Sequence, residues 1–127
     1  MKKIKLELVI ENDTNGLSGR VKYNDNLIVD FGKSLPELEE KLKKGLKEFE
    51  KLDPETIEFE HFYDVYALFE QFDFLKISKV AELAGINSEL LNQYVSQVKC
   101  PNAEQAKKLE NTIHDLARQM MKASIHV

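Results

Sequence analysis

The stretch KVAELAGINSELLNQYVSQVKCPNAEQAKKL, from Lys79 to Leu109, constrains this chain more than any other. Its first apolar positions, Val80, Ala81, Leu83 and Ala84, run directly into Gly85. Glycine enters the left-handed backbone region without steric cost, so Gly85 can turn the chain sharply. Ile86 then returns at once to the core. Asn87 and Ser88 form a polar cap, and a second short helix follows that buries Leu90, Leu91, Tyr94 and Val95. Small Ala81 lets the two helices approach closely. The pattern predicts a helix-turn-helix, a unit that usually presents its second helix to the DNA major groove.

A chain of 127 residues makes one domain or two very small ones. Hydrophobic residues are 43% of it, enough for packed cores, and charged residues at 31% supply a polar surface. No run approaches the roughly 20 apolar residues of a membrane span. The opening MKKIKLELVIEND has basic residues, but Lys5, Glu7 and Glu11 interrupt its apolar positions. It does not read as a signal peptide, so a cytoplasmic location is expected. Cys100 is the only cysteine, which excludes an internal disulfide and a Cys-rich zinc site. Residues 1–64 hold 11 basic and 15 acidic side chains, while residues 65–127 hold 7 of each. A DNA-binding region normally carries a basic footprint, so the neutral second half argues against tight binding by a monomer. Dimerisation would offset this, because two weak half-sites add.

The first half has the rhythm of strands. Ile4, Leu6, Leu8 and Ile10 alternate with mostly polar residues, and Asn15-Gly16 marks a turn. Val21 and Tyr23 share a face in a second strand, and Leu27, Val29 and Phe31 share one in a third. Asn24-Asp25-Asn26 turns between them, which predicts a three-stranded antiparallel meander. The period then changes from two to about 3.6 residues. Ser34-Leu35-Pro36-Glu37 is a capping box, and Leu35, Leu38, Leu42, Leu46 and Phe49 line one face of the helix it opens. Glutamates crowd the start of that helix and lysines follow, an order that suits its dipole. Asp53-Pro54 ends the element. TIEFEHF at 56–62 alternates again as a fourth strand, with Ile57 and Phe59 inward.

The second half is helical throughout. Asp64 caps a helix carrying Val65, Leu68, Phe69 and Phe72, and the helix-turn-helix comes next. Pro101-Asn102 opens a long last helix, where Asn102 and Gln105 form another capping pair. Ala106, Leu109, Ile113, Leu116 and Met120 repeat along it at spacings of three and four residues. The first of these suit an intradomain core. Leu116 and Met120 suit a partner helix in a homodimer. The junction between the halves falls near 63–74, and its composition predicts a helical connection. The fold class is therefore α+β, with a β-β-β-α-β domain over 1–63 and an all-α helix-turn-helix domain over 64–127.

No catalytic constellation emerges. His61, His114 and His126 are scattered, and Glu58 and Glu60 share one strand face near His61 outside any recognised metal motif. No enzymatic activity, metal or cofactor is expected.

This combination resembles the HicB-like antitoxins of bacterial toxin–antitoxin operons, in the version fused to a phage-repressor-like (XRE) helix-turn-helix. The likeness covers nearly the whole chain. VAELAGINSELLNQY, followed by Lys99-Cys100-Pro101 and a long helix, is similar to that family's repressor motif. The β-β-β-α-β order, with Gly32-Lys33-Ser34 entering the helix, resembles the HicB partial RNase H-like fold. The resemblance implies that Ser88, Glu89, Asn92 and Gln93 face base edges, and that Lys99, Asn102 and Lys79 contact phosphates. It implies double-stranded operator DNA as a partner, autorepression, and neutralisation of a small ribonuclease toxin. An acidic first half suits a basic partner of that kind.

Two positions depart from the family pattern. NDNLIVDFG at 24–32 stands where a Pro-Asp-Leu-Pro-Gly stretch is usual. Gln97 stands where the motif usually has a left-handed glycine, a conformation glutamine enters at a cost of about 1 kcal/mol. Other readings of the chain are a stand-alone transcriptional regulator without a toxin, or a protein-interaction module that does not bind DNA. A metal-dependent nuclease using Glu58 or Glu60 is the least favoured.

Overall fold

Alternation along IKLELVIEND places Leu6, Leu8 and Ile10 on one side of strand β1 (Ile4–Asp13), where none is more than 8% exposed. The computed structural model describes residues 2–127. A first compact unit ends at Glu70 and a second covers Gln71–Val127, so the division lies inside the 63–74 junction. The architecture is α+β, with four strands and five helices among the described residues.

Strands β2 (Gly16–Tyr23) and β3 (Asn26–Gly32) complete the antiparallel meander with β1. Tyr23 pairs with Asn26 across Asn24 and Asp25, whose φ values of 49° and 64° give the type I′ turn that two-residue hairpins favour. Helix α1 (Leu35–Glu50) crosses the sheet to strand β4 (Ile57–Tyr63), which pairs in parallel with β1. Parallel neighbours cannot be joined by a hairpin, so this crossover follows from the topology. The strand order is β3-β2-β1-β4.

The capping box forms as expected, with one refinement. Ser34 Oγ accepts the Glu37 N–H at 3.3 Å, while Glu37 reaches past Ser34 to the Lys33 N–H at 3.3 Å. Leu38, Leu42 and Leu46 are fully buried over Leu8, Ile10, Leu17 and Val21. Each such leucine contributes roughly 1.5–3 kcal/mol by burial. Gly32 makes this packing possible, since a Cβ there would lie 2.7 Å from the Leu38 nitrogen.

Leu27, Val29 and Phe31 share a face as expected, and it is the open one, where they are 62%, 49% and 53% exposed. The pairing of Val21 with Ile28 sets this parity: Ile28 packs against the core, and its neighbours take the other side. Phe49 is 73% exposed although it continues the leucine stripe. Lys51 closes the helix in the left-handed conformation, φ 57°, and brings Leu52 onto the core in its place. Ile57 and Phe59 face inward as expected, Ile57 buried and Phe59 partly so.

Asp64 caps helix α2 (Val65–Gln71), its side chain accepting the Ala67 N–H at 2.7 Å. Its own N–H donates to Ile10 O of β1 at 3.2 Å, which ties the start of α2 to the sheet.

In the second unit, helix α3 (Ile77–Ala84) packs against both α4 (Ser88–Val95) and α5 (Ala103–Lys122). Val80, Ala81, Ile86, Leu91, Tyr94 and Leu109 are buried. Ala106, expected to belong to the core, does not, and apolar Leu83 of α3 also lies outside it. Leu83 is 51% exposed because it lies about 110° around the helix from the buried Val80–Ala81 edge. On α5 the buried line runs through Leu109 and Thr112, leaving Ala106 exposed about 90° away. The Thr112 hydroxyl is satisfied within its own helix, donating to Lys108 O at 2.9 Å.

Candidate nucleic-acid interface

Two C-terminal caps and one N-terminal cap hold α4 in place. At the end of α3, Gly85 takes φ 71°, the Ile86 N–H donates to Ala81 O at 2.9 Å, and the Gly85 N–H donates to Glu82 O at 3.3 Å. These bonds form a Schellman motif, which satisfies carbonyls the helix would otherwise leave open. A Cβ on Gly85 would meet nothing within 4 Å, so glycine is needed here for its backbone freedom alone. Asn87 then caps α4, its Oδ1 accepting the N–H groups of Glu89 at 2.8 Å and Leu90 at 3.3 Å.

Burial of Leu91 and Tyr94 on the inner side leaves Ser88, Glu89 and Asn92 exposed on the outer one, with Gln93 half-buried. Leu90 and Val95, expected to be buried, are only half so and flank the inner face. The far end closes on a second Schellman motif. The Val98 N–H donates to Gln93 O at 2.9 Å and the Gln97 N–H to Tyr94 O at 3.2 Å. Gln97 sits at φ 66°, the left-handed conformation the motif needs.

Ser88, Glu89, Asn92 and Gln93 all lie on this one helix. Among the described residues, their side chains make no intramolecular hydrogen bond or ion pair, so their polar ends are available to a ligand. Lys99 is exposed in the turn after α4, anchored through its backbone N–H to Gln93 O at 3.2 Å. Asn102 and Lys79 are more committed. Asn102 is the N-cap of α5, its Oδ1 accepting the Gln105 N–H at 2.8 Å, so only its amide NH2 is free. Lys79 on α3 stands 3.7 Å from Glu82, an exposed pair that a phosphate could displace at little cost. Two further exposed residues were not signalled by the sequence motifs. Ser96 lies four residues beyond Asn92 and continues its outward stripe, as helical spacing alone would indicate. Lys76, at the N-cap position of α3, adds a positive charge that no motif announces.

The acidic pair of β4 forms no comparable site. Glu58 and Glu60 lie on the open face of the sheet. His61 points to the other side, where its Nε2 lies 2.5 Å from Glu39 Oε1. No cluster of three or more metal-ligating side chains occurs among the described residues. Nearby, burial and then the Glu39 charge push the Tyr63 phenol above its usual range. Among the described residues, no helix is long and apolar enough to cross a membrane.

Comparison with protein-family models, with curated proteins and with solved structures found no match to this chain.

Proposed function

We propose that this protein is a HicB-like antitoxin and transcriptional repressor that binds operator DNA through α4. The observation carrying the reading is the outward face of that helix, where Ser88, Glu89, Asn92 and Gln93 hold uncommitted polar groups between two closed caps. Polar side chains at this position can read base edges, and Lys99, Lys79, Lys76 and the Asn102 amide can hold phosphates. A homodimer formed by α5, through Leu116 and Met120, would pair two half-sites and offset the sparse positive charge. Met120 is 58% and Met121 87% exposed, in keeping with that role. The sheet order of the first unit, with β4 parallel to β1, supports a partial RNase H-like arrangement. In this reading the first unit neutralises a small basic ribonuclease toxin. The protein acts in the cytoplasm and catalyses nothing itself.

Fluorescence anisotropy on the DNA upstream of its own gene tests the proposal. Titrations at two salt concentrations, against scrambled DNA of equal length, should give specific binding that weakens with salt. Equal affinity for both duplexes would reject the repressor role. One observation favours a second reading as a protein-interaction module: edge strand β3 exposes Leu27, Val29 and Phe31 together. That module predicts no salt-sensitive DNA affinity.

A further inference from the structure

The outward face of α4 carries an unusual set of donors and acceptors for a surface that lies against DNA. Asn92 and Gln93 each offer one carbonyl acceptor and one NH2 donor, Glu89 offers acceptors only, and Ser88 can play either part. Ser88–Val95 contains no lysine or arginine. The Glu89 carboxylate is exposed and, among the described residues, has no ion-pair partner to neutralise it. Its backbone is fixed by the Asn87 cap, so the side chain projects from a rigid first turn.

Each base edge in the major groove demands a particular partner. Guanine presents two acceptors and is read by paired donors, which arginine or lysine supplies. Adenine presents an acceptor beside an NH2 donor, the complement of a side-chain amide. Cytosine presents an NH2 donor, the complement of a carboxylate. Resting on the DNA-binding role proposed above, we infer that α4 reads a half-site of adenine and cytosine edges, with Glu89 selecting the cytosine. Asn92 and Gln93 supply the adenine contacts. Guanine enters this segment as the base paired with the selected cytosine, and α4 makes no direct contact to it.

Charge gives Glu89 its discriminating power. Opposite guanine or thymine, its carboxylate would face another acceptor in a groove lined by phosphates, so those two bases are rejected by repulsion, while adenine sets its N7 acceptor beside the NH2 group it offers. Glu89 precedes Asn92 and Gln93 by about one helical turn, a rise of roughly 5 Å against a base step of about 3.4 Å. The cytosine therefore lies one or two base pairs from the adenines.

Selection of bound duplexes from a random library tests this, using the full chain as wild type and as Glu89→Ala at low salt. The wild type should enrich adenines with a cytosine one or two steps away, and Glu89→Ala should keep the adenines and lose the cytosine. In titrations of the selected duplex, replacing the cytosine by guanine or thymine should weaken wild-type binding by about 5- to 150-fold and scarcely affect the variant. The variant should also bind the replaced duplex more tightly than wild type does. A cytosine preference that survives Glu89→Ala, or a wild-type motif lacking cytosine, would overturn the assignment and leave DNA binding standing. Absence of any enriched sequence with either protein would overturn both. Circular dichroism verifies that the variant is folded, as an exposed side chain without internal partners allows.

Discussion

Val98 donates its backbone N–H to the carbonyl of Gln93 at 2.9 Å, and this bond holds the intervening Gln97 at φ 66°. Glutamine thus closes α4 in a conformation that glycine adopts without penalty. Gln97→Gly should stabilise the second unit by up to about 1 kcal/mol, less the entropy glycine loses on folding. Urea denaturation measures it. A loss of stability would show that the Gln97 side chain and the folding entropy of glycine together outweigh the backbone strain.

Gly85 and Gly32 should respond differently to alanine. At Gly85 there is room for a Cβ and only the left-handed conformation is strained, so Gly85→Ala should cost about 1–2 kcal/mol. At Gly32 the new Cβ would press on the backbone of Leu38, 2.7 Å away, and α1 would have to shift. Overpacking of that kind typically costs about 1–3 kcal/mol, occasionally more. Thermal melts should show a local change in near-UV signal for Gly32→Ala and none beyond the midpoint shift for Gly85→Ala.

The two faces of the sheet should differ as sharply. Leu46→Ala empties a fully buried position and should cost about 2–5 kcal/mol. Val29→Thr, on the open face, should stay within about 0.5 kcal/mol. A large loss from Val29→Thr, measured by chemical denaturation, would mean that this face is covered in solution.

On DNA, replacing both Asn92 and Gln93 by alanine should reduce sequence discrimination by about 1–3 kcal/mol for each base that the two amides read. Lys99→Ala should weaken all sequences about equally and flatten the salt dependence. Anisotropy on cognate and scrambled duplexes separates the two effects. Unchanged discrimination in the double variant would remove the outer face of α4 from the reading role.

Tyr63 predicts an alkaline effect. Its phenol is raised, chiefly by burial, so the folded protein keeps that proton where the unfolded chain has begun to lose it. Stability from this group is present below about pH 10 and falls as pH rises through the folded value. Tyr63→Phe should remove that part of the alkaline decline. Ultraviolet titration of wild type against Tyr63→Phe should place the missing transition above the ordinary tyrosine range.

Much of the architecture was legible in local chemistry. Ser34, Asn87 and Asn102 announce the starts of α1, α4 and α5, because a short side-chain oxygen can satisfy first-turn N–H groups that nothing else reaches. Gly85 announces the turn of the helix-turn-helix, and the change of period at Ser34 separates the meander from α1. The polar face of α4 also followed from spacing, since burial of Leu91 and Tyr94 leaves Ser88, Glu89 and Asn92 on the outside.

What the sequence by itself determined is the order of the elements, their caps and the composition of each face. Tertiary structure alone decided which face turns inward. The apolar trio Leu27, Val29 and Phe31 looks like a core stripe until Val21 pairs with Ile28 and turns it outward. Phe49 continues the leucine stripe, but Lys51 ends the helix and Leu52 takes the place on the core. Only the pairing of β4 with β1 shows that the chain crosses the sheet to its far edge. The physical reason is common to all three: periodicity is a property of neighbours along the chain, whereas burial depends on strands and helices that arrive from elsewhere in it.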